Sequence, residues 1–415
     1  MLFSRTVLLS LCSWTALNAA TLTLGEAVSQ FLEHNSDLHI ARYEADKSKA
    51  DLITAKEHPN PILMTGYEFI DVGHRFSDKA RGSNAQLTVN LSKAFETAGK
   101  RSKRIKLADD AIAYNNFLYN DTVRNGLSTL ISTYYALIAD QADLTNAQEN
   151  AKSYDTIIAV AKAKMESGFL SSIDYQKILI QKIDYLKEVE TYSLTLDQDR
   201  QSLLMQLSLD PSEKPDLDNP QSLPLELPVL DSLLSKADTR PDCQAAKQAM
   251  SVARSSLSLE KANAVPNLTV GAEYASFGPT YEPLGGVILS MPLPVFDKNE
   301  GDIEKSRIGT LEASTAYDKT LREARGEITV NYNVLRSRQS LYKMMQENFE
   351  HLQELKMKQE KVFSLKGMSV LELLDTQKNY REFQKNLNHA RSDLYAADAV
   401  LKLNTGEFPY ESKGN

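Results

Sequence analysis

Few groups in this sequence could carry chemistry, and most of those are carboxylates. The six histidines stand at 34, 39, 58, 74, 351 and 389, and none belongs to an HExxH motif or a comparable metal-ligand spacing. His34 and His39 lie five apart, a poor separation for two ligands on one helix, so a solvated surface is their expected place. Gly99-Lys100 lacks the upstream glycine of a phosphate-binding loop. With only Cys12 and Cys243, a disulfide framework or a Cys-rich metal site is excluded. Cys243 is expected as a small core residue on a helix. No nucleophile is placed beside a base, so the sequence argues against an enzyme and implies no metal site and no cofactor.

Two turns carry a more telling pattern. Gly168 precedes Ser171 and Asp174, and Gly367 precedes Ser369, Glu372 and Asp375. A serine followed three residues later by an acid marks a helix start. The hydroxyl accepts from a free N–H of the first turn, and the acid sits at the positive end of the helix dipole. Ser171 and Ser369 are therefore expected N-caps, with Gly168 and Gly367 in exposed tips, where function concentrates. Glu372 and Asp375, three apart, share one helix face.

Proline placement shows which elements hold these turns. No proline occurs between Ile62 and Asp210 or between Val295 and Phe408. Because proline breaks helix interiors, those gaps are where very long helices can form. The spacing predicts helices over 99–166 and 301–364, each followed by a glycine turn and a second long helix, over 172–208 and 369–404. Shorter helices over 25–57 and 240–263 open the two halves, with Pro241 tolerated in a first turn. Such lengths mean coiled coil or helical tube.

Between the opening and long helices the period changes to two. Ala85, Leu87, Val89 and Leu91 alternate with Gln86, Thr88, Asn90 and Ser92, and Leu268, Val270, Ala272 and Tyr274 alternate with Thr269, Gly271 and Glu273. Strands are predicted at about 61–70, 85–95, 266–275 and 285–295, joined in pairs by the polar loops 70–84 and 275–285. Their length suits tilted membrane strands, and Tyr67, Phe69, Tyr274 and Phe277 suit an aromatic girdle. Four strands cannot close a barrel, and an open edge is not tolerated in lipid, so membrane strands would require several copies; three would give twelve strands. A soluble α+β protein with two ordinary hairpins is the alternative.

Lys100, Arg101, Lys103 and Arg104 follow the second strand. A solvated face or surface ion network is expected there, with contact to anionic headgroups a further reading.

The two halves repeat one plan. Asp37 matches Asp242 and Pro61 matches Pro266 at a constant offset, and PILMTGYEF (61–69) lies over PNLTVGAEY (266–274). FETAGKRSKRI lies over FDKNEGDIEKSRI, and GFLSSID over GMSVLE. The expected organisation is a signal peptide over 1–20, a first repeat over 21–208, a linker over 209–239, a second repeat over 240–408 and a tail over 409–415. In the leader, Arg5 is the charged end, Val7 to Trp14 the short apolar stretch and Asn18-Ala19-Ala20 the small residues of a cleavage site. Leu11 before Cys12 is a poor lipoprotein signal, so no lipid anchor is expected.

Composition fits an exported protein that binds no nucleic acid. The chain has 415 residues, 47 basic against 55 acidic, for a net charge of −8, whereas a nucleic-acid binder needs a basic face. A mean hydropathy of −0.37 excludes a bundle of membrane-spanning helices, which need about 20 apolar residues each.

These features together resemble the TolC-type outer-membrane efflux channels. TLTLGEAVSQFLEHNSDLHIARYEADKSKADL is similar to the family's first helix, RPDCQAAKQAMSVARSSLSLEKANAVPNLTVGAEY to its second-half counterpart, and GMSVLELLDTQKNYREFQKNL to the start of its final helix. LSKAFETAGKRSKRIKLA resembles the heavy-metal branch, the CzcC/CusC-type channels, although Lys93-Ala94 and Ala98 depart from that branch's apolar-Pro pair and first glycine. The resemblance implies a mainly α fold with membrane β. The duplicated helix–strand–strand–helix protomer would belong to a trimeric twelve-stranded outer-membrane barrel continuous with a periplasmic α-helical barrel. It implies a homotrimer in outer-membrane lipid, a periplasmic membrane-fusion adaptor and an inner-membrane pump of the RND type, with heavy-metal cations as cargo. Carried over residue by residue, Glu372 and Asp375 would line the periplasmic aperture as acid rings. Asp174 would help tie neighbouring helices shut, and the turns with Gly168, Ser171, Gly367 and Ser369 would dock the adaptor. The rivals are a drug-efflux or type I secretion duct of the same fold, and a periplasmic structural coiled coil without a pore.

Overall fold

The computed structural model describes residues 21–69, 85–220, 226–277, 282–365 and 369–408. The expected signal peptide, the first hairpin loop, Gly367 and the 409–415 tail lie outside them.

Helix α1 (Leu24–His34) starts on a capping box: Glu26 N–H donates to Thr23 Oγ1 over 3.2 Å, and Thr23 N–H donates to the Glu26 carboxylate over 2.8 Å. The sequence predicts one opening helix over 25–57, but the helix ends at Asn35, which is extended (φ −65°, ψ 124°). Its amide donates 2.8 Å to the Gln206 carbonyl, which holds the extended residue in place. Helix α2 (Ser36–Lys56) follows. Next come β1 (Ile62–Phe69), β2 (Ala85–Phe95), α3 (Lys100–Glu166), α4 (Ser172–Leu207) and α5 (Leu230–Ser235). After a 3-10 turn (Ala237–Thr239) the second half adds α6 (Pro241–Asn263), β3 (Leu268–Ser276), β4 (Leu284–Ser290), α7 (Glu300–Leu365) and α8 (Val370–Asn404). Helices α3 and α7 have 67 and 66 residues, about 100 Å at 1.5 Å per residue. Pro241 occupies the first turn of α6, where its missing N–H has no intrahelical partner to lose.

One strand differs from expectation. The fourth is predicted over 285–295 but β4 stops at Ser290, because Pro292 and Pro294 have no N–H to give a ladder. Pro266 likewise stays outside β3, which begins at Leu268.

Contacts group the chain into two units: Met1–Ser36, Asn125–Pro228 and Val330–Asn415, and separately Asp37–Arg124 and Val229–Thr329. In the second unit the strands form one antiparallel sheet in the order β1-β2-β3-β4. The register sets Leu63 opposite Leu91, Leu91 opposite Ala272 and Ala272 opposite Val287. Directly opposed residues share a face, so Leu63, Tyr67, Leu87, Leu91, Tyr274, Val287 and Leu289 all lie on one side, with Thr88, Asn90, Ser92, Gly271 and Glu273 on the other. Polar groups meet on that second side: the Asn90 amide lies 3.5 Å from Glu273 Oε2. A Cβ on Gly271 would come within 3.0 Å of Ser92 Cβ, so the sheet is closely packed there.

The turn between β2 and α3 bears out the ion-network reading of the basic cluster at Arg104 and corrects the solvated one at Lys100. Lys100 is buried, and its ammonium donates 2.6 Å to Asn267 Oδ1. Arg101 donates to the Lys56 carbonyl over 2.8 Å. Arg104 pairs with Glu96 and donates 3.3 Å to the Glu57 carbonyl. Free carbonyls at the α2 C-terminus attract these cations, and Thr97 Oγ1 donates 2.6 Å to the Pro266 carbonyl. The turn also needs two left-handed residues, Ala98 (φ +52°) and Gly99 (φ +68°).

In the same unit Arg240 is buried just before α6. Its guanidinium holds Asp242 Oδ2 and Glu327 Oε2, each at 2.7 Å. Cys243, on α6, is fully buried as expected.

In the first unit the core of α3 runs from Leu127 through Leu130, Ile131, Tyr134 and Leu137, all nearly unexposed. Residue 22 is tied to the linker: Leu22 N–H donates 2.6 Å to the Asp216 carbonyl, and Asp218 N–H donates back over 3.1 Å. The Tyr134 hydroxyl shares its proton between the Leu22 and Asp218 carbonyls, at 2.8 and 3.1 Å.

Candidate functional site

The turn from α3 to α4 closes by backbone bonds to the last carbonyls of α3. Gly168 takes a left-handed conformation (φ +79°), while Phe169 and Leu170 N–H groups donate to the Lys164 carbonyl over 2.8 and 3.2 Å. That is how a glycine ends a helix. It leaves Phe169 at the tip with 85% of its surface exposed. Ser171 caps α4 as its spacing predicts: Asp174 N–H donates 3.0 Å to Ser171 Oγ, and the hydroxyl donates 2.9 Å to Asp174 Oδ2. Lys177 lies 3.0 Å from the other carboxylate oxygen. Asp174 is thus held below the usual aspartate range, first by Lys177 and then by Ser171.

The second turn matches only in part. Ser369 stands at the N-cap position of α8, but its hydroxyl makes no capping bond; the helix starts instead on Leu373 N–H to the Ser369 carbonyl, 3.2 Å. The same Ser-x-x-acid spacing thus gives a side-chain cap at one turn and not at the other. Glu372 and Asp375 are both exposed on the first turns of α8, and Asp375 Oδ2 accepts from the Asn379 amide at 3.2 Å. Both turns rest on one apolar cluster, in which Tyr154, Ala161, Ile178, Tyr185 and Phe363 pack with Val370 and Leu373, and Leu170 and Tyr175 lie against it. The fold therefore carries the acids Asp174, Glu372 and Asp375 on helix starts that share a core.

The sheet supplies the second functional surface. Its apolar face is open: Leu63 is 65% exposed, Val287 77% and Leu289 69%. Among the described residues no helix is long and apolar enough to cross a membrane. Outward apolar side chains alternating with polar ones is the pattern of a membrane strand.

Other placements were not legible from spacing. Asp140 and Asp143 on α3, Asp199 on α4 and His389 on α8 converge in the first unit, as do Glu188 and Arg381. Their only sequence signal is a pair of acids three apart in the stretch 137–144, whose other residues are apolar except Gln141. Among the described residues no group of three or more His, Cys, Asp or Glu is arranged to hold a metal ion.

Long helices and a small antiparallel sheet with an open apolar face make up this fold, and solved structures share it. The fold matches CusC, described as a transmembrane channel, with a TM-score of 0.77 at 16% identity, over 92% of this chain and 91% of that one. The chain belongs to the outer membrane efflux protein family, whose model matches residues 27–206 and 234–407. It is therefore an outer-membrane efflux channel of the TolC type, a class of transport ducts rather than enzymes, and the reading as a coiled coil without a pore is set aside. Two curated relatives are similar. The cobalt-zinc-cadmium resistance protein CzcC of Cupriavidus metallidurans is 22% identical over 286 residues, 69% of this chain and 66% of that protein, just under two thirds of its length. Toxin and drug export protein A of Aggregatibacter actinomycetemcomitans is 23% identical over 343 residues, 74% of this chain and 70% of that protein.

Proposed function

We propose that this chain is the passive outer-membrane duct of a tripartite efflux system and that it exports heavy-metal cations. The open apolar face of the four-stranded sheet carries the reading. In water such a face would be a liability, whereas in outer-membrane lipid it is a solvent match, and three copies would close a twelve-stranded barrel with no free edge. The polar face would then line the pore. The chain would be exported by a signal peptide cleaved after Ala20, without a lipid on Cys12.

An inner-membrane RND-type pump would supply energy and most of the cargo choice, and a periplasmic membrane-fusion adaptor would dock on the turns at Gly168–Ser171 and Gly367–Ser369. Exposed Phe169 gives such a partner an apolar anchor. Glu372 and Asp375, repeated threefold, would form acid rings at the entrance, a cation-selective device, and Asp174 would help hold the entrance shut. The likeness to CzcC supports metal cargo. The likeness to toxin and drug export protein A supports drugs or toxins as the second reading.

A deletion strain tested for growth and metal content across Zn, Cd, Co, Ni, Cu and Ag, beside a drug panel, separates the two. Raised accumulation of one or two metals, restored by the intact gene, is the expected result. Sensitivity confined to drugs or detergents removes the metal reading and keeps the channel. In planar bilayers, Glu372→Gln with Asp375→Asn should lower cation-over-anion selectivity; unchanged selectivity removes both acids from the aperture.

A further inference from the structure

A band of buried polar groups interrupts the apolar packing of α3, α4 and α8. On one side lie Leu130, Tyr134, Leu137, Leu203, Leu204 and Leu394; on the other, Tyr154, Ile157, Ala161, Ile178 and Leu373. Between them Asp143 on α3 accepts from the Asn388 amide at 2.7 Å through Oδ1, and its Oδ2 lies 2.9 Å from His389 Nε2. Asn150 donates 3.0 Å to Gln384 Oε1. Arg381 holds Glu188 of α4 at 3.0 Å, with its guanidinium 3.9 Å from the Tyr185 ring centre. Asp143, Asn150, Glu188, Arg381 and Lys385 line a cavity of about 10 Å³, room for one water.

Asp140, one helical turn from Asp143, is 93% buried by its 7% exposure, and its Oδ2 has no hydrogen-bond partner. It faces Asp199 of α4, Asp143 of its own helix and His389 of α8.

A buried charged layer costs stability relative to apolar packing, so a layer that can change its charge is a place where helix packing can be switched. We propose that this band is a proton-sensitive joint: with a proton shared between Asp140 and Asp199 and His389 cationic on Asp143, α4 and α8 are clamped to α3, and loss of those protons loosens the junction. The inference concerns the folded chain alone and does not depend on the cargo.

Two facing carboxylates in a dry site cannot both ionise cheaply. Burial, then the facing carboxylate of Asp199, pushes Asp140 up to about 7. The bond to Asp143 raises His389 above its ordinary value, with burial and Lys385 opposing. The two effects share a sign. A carboxyl that ionises less readily when packed weakens packing as pH rises from the ordinary aspartate range towards 7. An imidazolium stabilised by packing contributes fully below its ordinary value of 6.5 and is lost as pH rises through its raised value. His389, 41% exposed, gives protons a way in.

The test is hydrogen–deuterium exchange of the full-length protein in detergent micelles at pH 6 and pH 8, with each rate divided by the intrinsic rate at that pH. For an Asp140 that titrates near 7 when packed and near 4 when released, local opening should rise about tenfold between the two pH values. The rise should fall in peptides covering 137–146, 195–203 and 385–393, with the apolar segment 151–161 responding less. Asp199→Asn removes the facing charge from a partly buried position. It should shrink the rise by the share that Asp199 adds to burial. Asp140→Asn, which keeps a buried donor and no longer titrates, should leave only the smaller part due to His389, and adding His389→Gln to it should flatten the response. A flat wild-type response, or a full rise retained in Asp199→Asn and Asp140→Asn, overturns the proposal.

Discussion

Gly126 sits where α3 passes α1, and the packing there makes alanine the wrong residue. In a bare helix, Gly→Ala gains about 1 kcal/mol. Here an added Cβ would fall 2.5 Å from Phe31 Cζ and 3.1 Å from Cε1, against an ordinary carbon–carbon contact of about 3.5–4.0 Å. The ring must therefore retreat by about 1 Å. It has nowhere to go: Phe31 is 3% exposed, and α1 is fixed at its start by the Thr23–Glu26 box and at its end by Asn35 on Gln206. Overpacking of this kind costs about 1–3 kcal/mol. In all but the mildest case the clash outweighs the propensity gain, leaving Gly126→Ala up to about 2 kcal/mol less stable. Thermal unfolding by circular dichroism in micelles at a fixed scan rate should show a midpoint lower by up to about 2 °C for a chain of this length. Combining Gly126→Ala with Phe31→Leu, which removes the ring edge, should cost less than the two single changes added together. A higher midpoint for Gly126→Ala alone would refute the reasoning, because helix propensity would then have won over contact.

Adjacent residues in the β2–α3 turn should respond with opposite signs. Ala98→Gly should stabilise by about 0.5–1 kcal/mol by relieving a left-handed alanine, whereas Gly99→Ala should destabilise by about 1–2 kcal/mol; midpoints measured as above decide both. At the tips, Ser171→Ala should cost about 1 kcal/mol through its lost capping bond and Ser369→Ala close to nothing, a difference readable in local amide exchange of the first turns of α4 and α8. Replacing Arg240 with Met leaves Asp242 with only the Cys243 N–H at 2.9 Å and the Arg124 guanidinium at 3.9 Å and should cost about 1–3 kcal/mol. A wild-type midpoint in that variant would mean the Arg240 pairs contribute nothing net.

Much of the fold could be read from proline gaps and changes of period, because both act locally. The starts of α3 and α7 and the whole of β2 lie where the pattern puts them. What failed depends on partners distant in the chain. Asn35, a residue favoured at helix ends, breaks the opening helix and is held there by the distant Gln206 carbonyl. Lys100, Arg101 and Arg104 look like a solvated patch until the α2 terminus and Asn267 are brought beside them. The Ser-x-x-acid spacing fits both tips, yet only Ser171 makes its bond. The joint of Asp140, Asp199 and His389 joins three helices, so no window along the sequence contains it. The early end of β4 could have been read from Pro292 and Pro294.

The pairing of β2 with β3 has a consequence for biosynthesis. Leu87 meets Ser276 and Phe95 meets Leu268, residues almost half the chain apart, so the first hairpin is translated long before its neighbour exists. Until β3 arrives, β2 presents an unpaired edge beside an apolar face, the combination most prone to wrong association. Pairing across so long a loop is slow because closure entropy comes before any contact. The nascent protein is therefore a natural client for holding chaperones, and a chain truncated after α4 would be an aggregation hazard rather than half a channel. Supplying the segment with β3 and β4 in trans should rescue such a fragment, since the join it needs is a ladder of hydrogen bonds and not a peptide bond.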